Sequence, residues 1–160
     1  MATTPDADRL FRNGLVRELV AMDLDPDQFV VFGSAPLLAH GLRTTIRDLD
    51  VVARGDVLAW AQRTGTPGVG AYSGDPVWQF GHGRIQFSAG WITPRWDVDA
   101  LVDGAEVIGG LRWARLTDVL RYKRELRRPK DLADIAKIRA CPREPPPVRN
   151  RPQLIGQGRG

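Results

Sequence analysis

The stretch Phe29-Val30-Val31-Phe32-Gly33-Ser34, followed after residues 35–47 by Asp48-Leu49-Asp50-Val51-Val52, decides how this chain is read. Phe29 to Phe32 is a short β-branched and aromatic run stopped by a glycine, the pattern of a buried strand. Leu49 to Ala53 is a second such run. Between them, Ala35 to Leu42 carries a short helical pattern, with Pro36 in the first turn, where its missing N–H costs little. Asp48 and Asp50 stand two apart, so on an extended chain both side chains leave the same face. Two carboxylates side by side repel unless a cation lies between them, and a hard divalent ion suits oxygen ligands best. Gly33 allows a close approach of backbone to ligand. Ser34 opens the short helix, whose free N–H groups and dipole favour an anion.

Outward from this stretch, the spacing of Leu10, Phe11, Leu15, Leu19 and Met22 predicts one helix over Asp6 to Met22. Asp56 to Arg63 is a short helix capped by Asp56. Residues 64–76, crowded with Gly65, Pro67, Gly68, Gly70, Gly74 and Pro76, read as loop. Their glycines do not form GxGxxG and follow no strand directly, which argues against a dinucleotide-binding loop. Val77 to Phe80, Arg84 to Phe87 and Trp96 to Val102 read as strands. Gly81-His82-Gly83 suits a hairpin turn, Thr93-Pro94-Arg95 is a further turn signal, and Leu111 to Ala114 is a short extended piece. Thr117 to Arg128 is a helix stopped by Pro129, and Lys130 to Ala140 is another. From Pro142 the composition turns to Pro, Arg and Gly, so a disordered tail is expected over residues 142–160. Residues 1–141 then form one α/β (α+β) domain, a mixed sheet of about four or five strands packed against helices.

Composition bounds the remaining possibilities. An apolar fraction of 42% and a charged fraction of 26% are those of a soluble globular protein. Cys141 is the single cysteine, which excludes an internal disulfide and a cysteine-built zinc cluster. His40 and His82 have no second histidine at ligand spacing. The start MATTPDADRL lacks the basic and apolar regions of a leader, and no run approaches the ~18 apolar residues of a membrane helix. A cytoplasmic location and no membrane partner are the expectation. The net charge is +4, and Lys123, Lys130 and Lys137 are the only lysines among 23 basic residues. Arginine pairs bidentately with phosphate, so this balance suits a phosphate-rich partner.

Gly33-Ser34, a short helix, and then Asp48-Leu49-Asp50 on an apolar strand resemble the nucleotidyltransferase superfamily, with its polymerase-β-like fold. Chain length and the C-terminal helices resemble its minimal branch, which includes small antibiotic nucleotidyltransferases and nucleotidyltransferase toxins of abortive-infection, toxin–antitoxin type. Arg47 departs from the pattern, since an apolar residue often stands there. The resemblance covers roughly residues 29–138. It implies a magnesium-dependent transferase that moves a nucleoside monophosphate from an NTP, such as ATP, onto an acceptor hydroxyl, releasing pyrophosphate. Asp48 and Asp50 would hold two Mg²⁺. A third carboxylate on a neighbouring strand would be Asp99 or Asp97, both offered by Arg95-Trp96-Asp97-Val98-Asp99, with Asp99 preferred as the metal ligand. Gly33 and Ser34 would cradle the NTP phosphates. The segment 122–135, YKRELRRPKDLADI, further resembles small members of the family, which implies Lys123 on the phosphates and Asp131 as its partner or as a first-turn cap. The acceptor stays open: the end of a tRNA or other RNA, a small molecule, or a protein. By the same resemblance, a homodimer would complete the acceptor site. The alternatives are a catalytically silent nucleotide- or RNA-binding module, and the partner protein of a toxin–antitoxin pair.

Overall fold

The computed structural model describes residues 5–71, 73–91 and 95–141. The expected tail at 142–160 and the turn residues Thr93 and Pro94 lie outside the described residues.

The chain opens with two helices, α1 (Pro5–Leu10) and α2 (Gly14–Ala21), where the spacing predicts one. Asn13 divides them: its Oδ1 accepts from the Leu15 and Val16 amides at 3.0 and 3.2 Å. A short amide side chain satisfies free N–H groups at a helix start better than it serves a helix interior. Then follow β1 (Phe29–Phe32), α3 (Ala35–Ala39), β2 (Leu49–Ala53), α4 (Gly55–Thr64), β3 (Thr66–Val69), β4 (Pro76–Phe80) and β5 (Ile85–Ser88). The C-terminal part holds α5 (Val98–Asp103), β6 (Glu106–Ile108), β7 (Leu111–Trp113), α6 (Leu116–Leu126) and α7 (Pro129–Ala140).

The seven strands among the described residues belong to one mixed sheet in the order β3-β4-β5-β2-β1-β7-β6. The sheet is thus wider than expected. β3 lies inside the stretch read as loop, and its Pro67 and Gly68 are tolerated because β3 is an edge strand. β6 is a short hairpin partner of β7. β2 occupies the middle of the sheet, antiparallel to β1 and parallel to β5.

Strand alternation divides the core between the two sheet faces. Phe29, Val31, Leu49, Val51, Ile85, Phe87 and Trp113 point into one cluster, with Leu10, Val16 and Leu19. Val30, Phe32 and Val52 point into the other, with Leu101, Val102, Val119 and Tyr122. Asp50 is paired with Phe32 across the β1–β2 ladder and with Gln86 across β2–β5. It therefore stands on the second face.

The strand expected over Trp96–Val102 is instead α5 and its cap. Asp97 Oδ1 accepts from the Asp99 amide at 3.0 Å, an N-cap bond. Val98, Leu101 and Val102 fall at helical spacing; Leu101 and Val102 are buried while Asp99 is exposed. The alternation of acid and apolar residue in WDVDALV fits both periods, and the cap decides between them.

Candidate active site

β1 ends where β2 begins, because the two are antiparallel with Phe32 opposite Asp50. Gly33-Ser34, leaving β1, and Asp48, entering β2, are thereby brought to the same end of the sheet. Gly33 has φ +70°, and a Cβ placed there would lie 2.6 Å from Asp50 Oδ2. Only glycine takes this conformation without strain and without pushing on the carboxylate. The turn is packed directly against the acid.

Ser34 precedes α3, but its side chain makes no cap bond. Lys123 Nζ donates to Ser34 Oγ at 3.1 Å. The Lys123 ammonium also lies 3.0 Å from Asp134 Oδ2 and 3.4 Å from Asp131 Oδ1. Lys123, Asp131 and Asp134 are all buried. Buried charges of this kind persist only when paired, and here one ammonium faces two carboxylates that each have a second cation. Arg43 Nε lies 3.3 Å from Asp134. Arg128 grips Asp131 with Nε at 2.6 Å, a second guanidinium nitrogen at 2.9 Å and its backbone N–H at 2.9 Å. Burial works against the Asp131 charge, but the Arg128 bonds and the Lys123 charge outweigh it, holding the carboxyl below its ordinary range. Asp131 is thus both the partner of Lys123 and the first-turn cap of α7. Because its ammonium is buried, Lys123 supports Ser34 from behind and does not face the cleft; the cations lining the cleft are Arg128 and Lys130.

That cleft has a volume of about 640 Å³. Gly33, Ser34, Asp48 and Asp50 form its floor, with Gln86 and Ser88 of β5 beside them and Trp91 and Tyr122 on the wall. Trp91 meets Tyr122 edge-on, their centroids 5.1 Å apart, and leans on Phe32 at 4.4 Å. Burial, and next the neighbouring Asp48 carboxylate, push Asp50 up to about 6, while Lys130, Arg128 and Lys123 pull it down. A carboxyl that resists ionising beside another carboxylate is a place where a cation is favoured. Burial also raises the Tyr122 phenol, which therefore stays neutral.

Asp97 and Asp99 are not part of this cleft. Asp99 binds Arg54 at 2.8 Å, and Asp103 binds the same guanidinium at 2.7 Å. Arg54 follows the last residue of β2, whereas Asp48 precedes the first. At ~3.3 Å per strand residue, Asp48 and Arg54 are about 20 Å apart along the chain. The expectation of Asp99 or Asp97 as third metal ligand is thus corrected: Asp99 is held by Arg54 at the other end of β2, and Asp97 caps α5 and does not line the cleft. The strand beside β2 on the side away from β1 is β5, and its residue level with Asp50 is Gln86. Among the described residues no group of three or more His, Cys, Asp or Glu side chains converges. Asp48 and Asp50 form a two-carboxylate donor set. That number suits Mg²⁺, which commonly takes one or two protein carboxylates and completes its shell with phosphate oxygens and water.

Four further residues of the segment 122–135, to which the sequence assigned no role, belong to this site. Asp134 lies one helical turn beyond Asp131, and that spacing was the available signal. Arg128, Lys130 and Tyr122 flank residues already singled out, but nothing local shows that Tyr122 and Lys130 reach the cleft. Among the described residues no helix is long and apolar enough to cross a membrane. The chain matches no protein-family model, no curated protein and no solved structure.

Proposed function

We propose that the protein is a metal-dependent nucleotidyltransferase, transferring a nucleoside monophosphate from an NTP to an acceptor hydroxyl with release of pyrophosphate. The observation that carries this is the packing of the Gly33-Ser34 turn directly on Asp50, with Asp48 beside it, in an open cleft rimmed by Arg128 and Lys130. Asp48 and Asp50 would hold Mg²⁺, which when bound supplies charge neutralisation at the reacting phosphate. The α3 helix is only five residues long and its second residue, Pro36, has no N–H, so its dipole adds little. Lys130 and Arg128 supply the positive charge toward the β- and γ-phosphates. Lys123 and Asp131 position Ser34, and Tyr122 and Trp91 offer an aromatic wall to the base. In the reaction the acceptor oxygen bonds to the α-phosphorus as the bond to pyrophosphate breaks, and the hydroxyl proton passes to water.

A nucleotide-binding module without transfer is the alternative, and Gln86 favours it: the place level with Asp50 on β5 holds an amide where a third acid would serve as base. Both share one first test. A fluorescent NTP analogue should bind the full chain only with Mg²⁺ or Mn²⁺, and Asp48→Ala/Asp50→Ala should abolish that binding. Binding that ignores the metal, or survives in the variant, would overturn the proposal.

A further inference from the structure

A second cleft of about 620 Å³ meets the first at Ser34, Asp48 and Lys130. Its chemistry is different. The remaining lining is the loop from Gly41 to Arg47, together with Lys137 of α7. Arg43, Arg47, Lys130 and Lys137 line it against a single carboxylate, Asp48. Arg43 is engaged by Asp134. Arg47, Lys130 and Lys137 are exposed and have no ion pair among the described residues. In a chain with 23 basic residues, the three lysines gather here: Lys123 behind Ser34, Lys130 at the junction, Lys137 along the second cleft.

The spacing of these charges is informative. Lys130 and Lys137 are two turns apart on one face of α7, about 10 Å along the axis at ~1.5 Å per residue. The row therefore leads away from Asp48 and Lys130, which line both clefts, to Lys137, which lines the second alone. The chemistry that fits is a series of phosphates. A triphosphate held at Asp48 and Asp50 in the first cleft meets Lys130 there, whereas Arg47 and Lys137 line only the second cleft. The hydroxyls of Thr44 and Thr45 line the same track and can donate to phosphate oxygens.

We propose that this second cleft binds the sugar–phosphate backbone of a single-stranded nucleic acid, which presents its terminal hydroxyl at Asp48. The acceptor role of that hydroxyl rests on the nucleotidyl-transfer function proposed above; the backbone site itself does not. Arg47 and Lys137 are then phosphate contacts, and the nucleotide donor occupies the first cleft.

The test uses the full chain and short fluorescein-labelled oligoribonucleotides and oligodeoxyribonucleotides, with anisotropy measured in EDTA over a salt series. The wild type should bind at least one of them, with affinity falling as salt rises. Arg47→Ala/Lys137→Ala removes two contacts and should flatten the slope of log K against log [salt] by about 1.4, at ~0.7 per contact for a single strand. The same variant should bind an NTP analogue with Mg²⁺ as the wild type does, and circular dichroism should show an unchanged melting curve. Absent oligonucleotide binding, or an unchanged slope, overturns the proposal. So does loss of NTP binding with the slope intact, because the cleft would then hold the triphosphate. Intact oligonucleotide binding through these residues, without any metal-dependent NTP binding, would sustain the backbone site while refuting the transferase function.

Discussion

Replacing Gly33 by alanine separates what the turn does for the fold from what it does for the site. The backbone cost comes from φ +70°: an L-residue held in the left-handed region loses roughly 1–2 kcal/mol. The stiffer unfolded chain returns about 0.4–1 kcal/mol of this, so the net loss is near 1 kcal/mol. For a chain of 160 residues that corresponds to a fall of about 2–4 °C in Tm. Gly110 supplies the control. Its φ is +79° and nothing lies within 4 Å of a Cβ placed there, so Gly110→Ala carries the same backbone cost and no contact. At Gly33 the new methyl must move the Asp50 oxygen out from 2.6 Å. That oxygen is the end of a short side chain and yields at small cost in stability, but it is the proposed metal ligand. Both variants should therefore melt a few degrees below the wild type by calorimetry. Only Gly33→Ala should lose Mn²⁺ affinity, titrated by electron paramagnetic resonance, by tenfold or more. Equal Mn²⁺ affinity in the two variants would mean that the turn does not set the position of Asp50.

Other outcomes follow from the same geometry. Asp50 has a folded-state value raised to about 6 from 3.8; its proton stabilises the folded state below pH ~4, and that contribution is lost as pH rises through 6. Without metal, Asp50→Asn should therefore raise stability by roughly 1–3 kcal/mol at pH 8 and change little at pH 4, and Mg²⁺ should narrow the gap by stabilising only the wild type; urea titrations at both pH values check the sign. Lys123→Met removes the cation shared by two buried carboxylates, leaving Asp134 to Arg43 and Asp131 to Arg128, and should cost up to about 3 kcal/mol in urea unfolding, with no gain from Mg²⁺. Asp99→Ala removes an exposed ion pair and should change stability by less than about 1 kcal/mol, with Mg²⁺-dependent NTP binding unchanged; a loss of binding would return Asp99 to the site.

The buried strands β1 and β2, the turn between β1 and α3, and α6 and α7 were legible because each carries a local signal: an apolar run closed by glycine, or helical spacing closed by Pro129. Gly33, Ser34, Asp48 and Asp50 were legible as one group because two adjacent strands fix their ends together. The rest depended on distant parts of the chain. Trp96 to Val102 fits both periods, and only the Asp97 cap and the exposure of Asp99 show a helix. β3 was masked by Pro67 and Gly68, whose tolerance follows from an edge position that no local pattern reveals. Asp134 became part of the site through Lys123, eleven residues before it in the chain and on the preceding helix. The family resemblance implied Lys123 on phosphate; in the structure its ammonium is buried against Ser34, Asp131 and Asp134.

The most direct test of the central claim is transfer itself. The full chain would be incubated with Mg²⁺, each of the four NTPs labelled at the α-phosphate, and in turn total cellular RNA, cellular protein and a small-molecule extract. Label from at least one NTP should become covalently attached in one fraction, with release of unlabelled pyrophosphate, and Asp48→Ala/Asp50→Ala should remove it. NTP bound with metal but no label transferred to any fraction would contradict the claim, and would leave a nucleotide-binding module in which Gln86 stands where catalysis needs an acid.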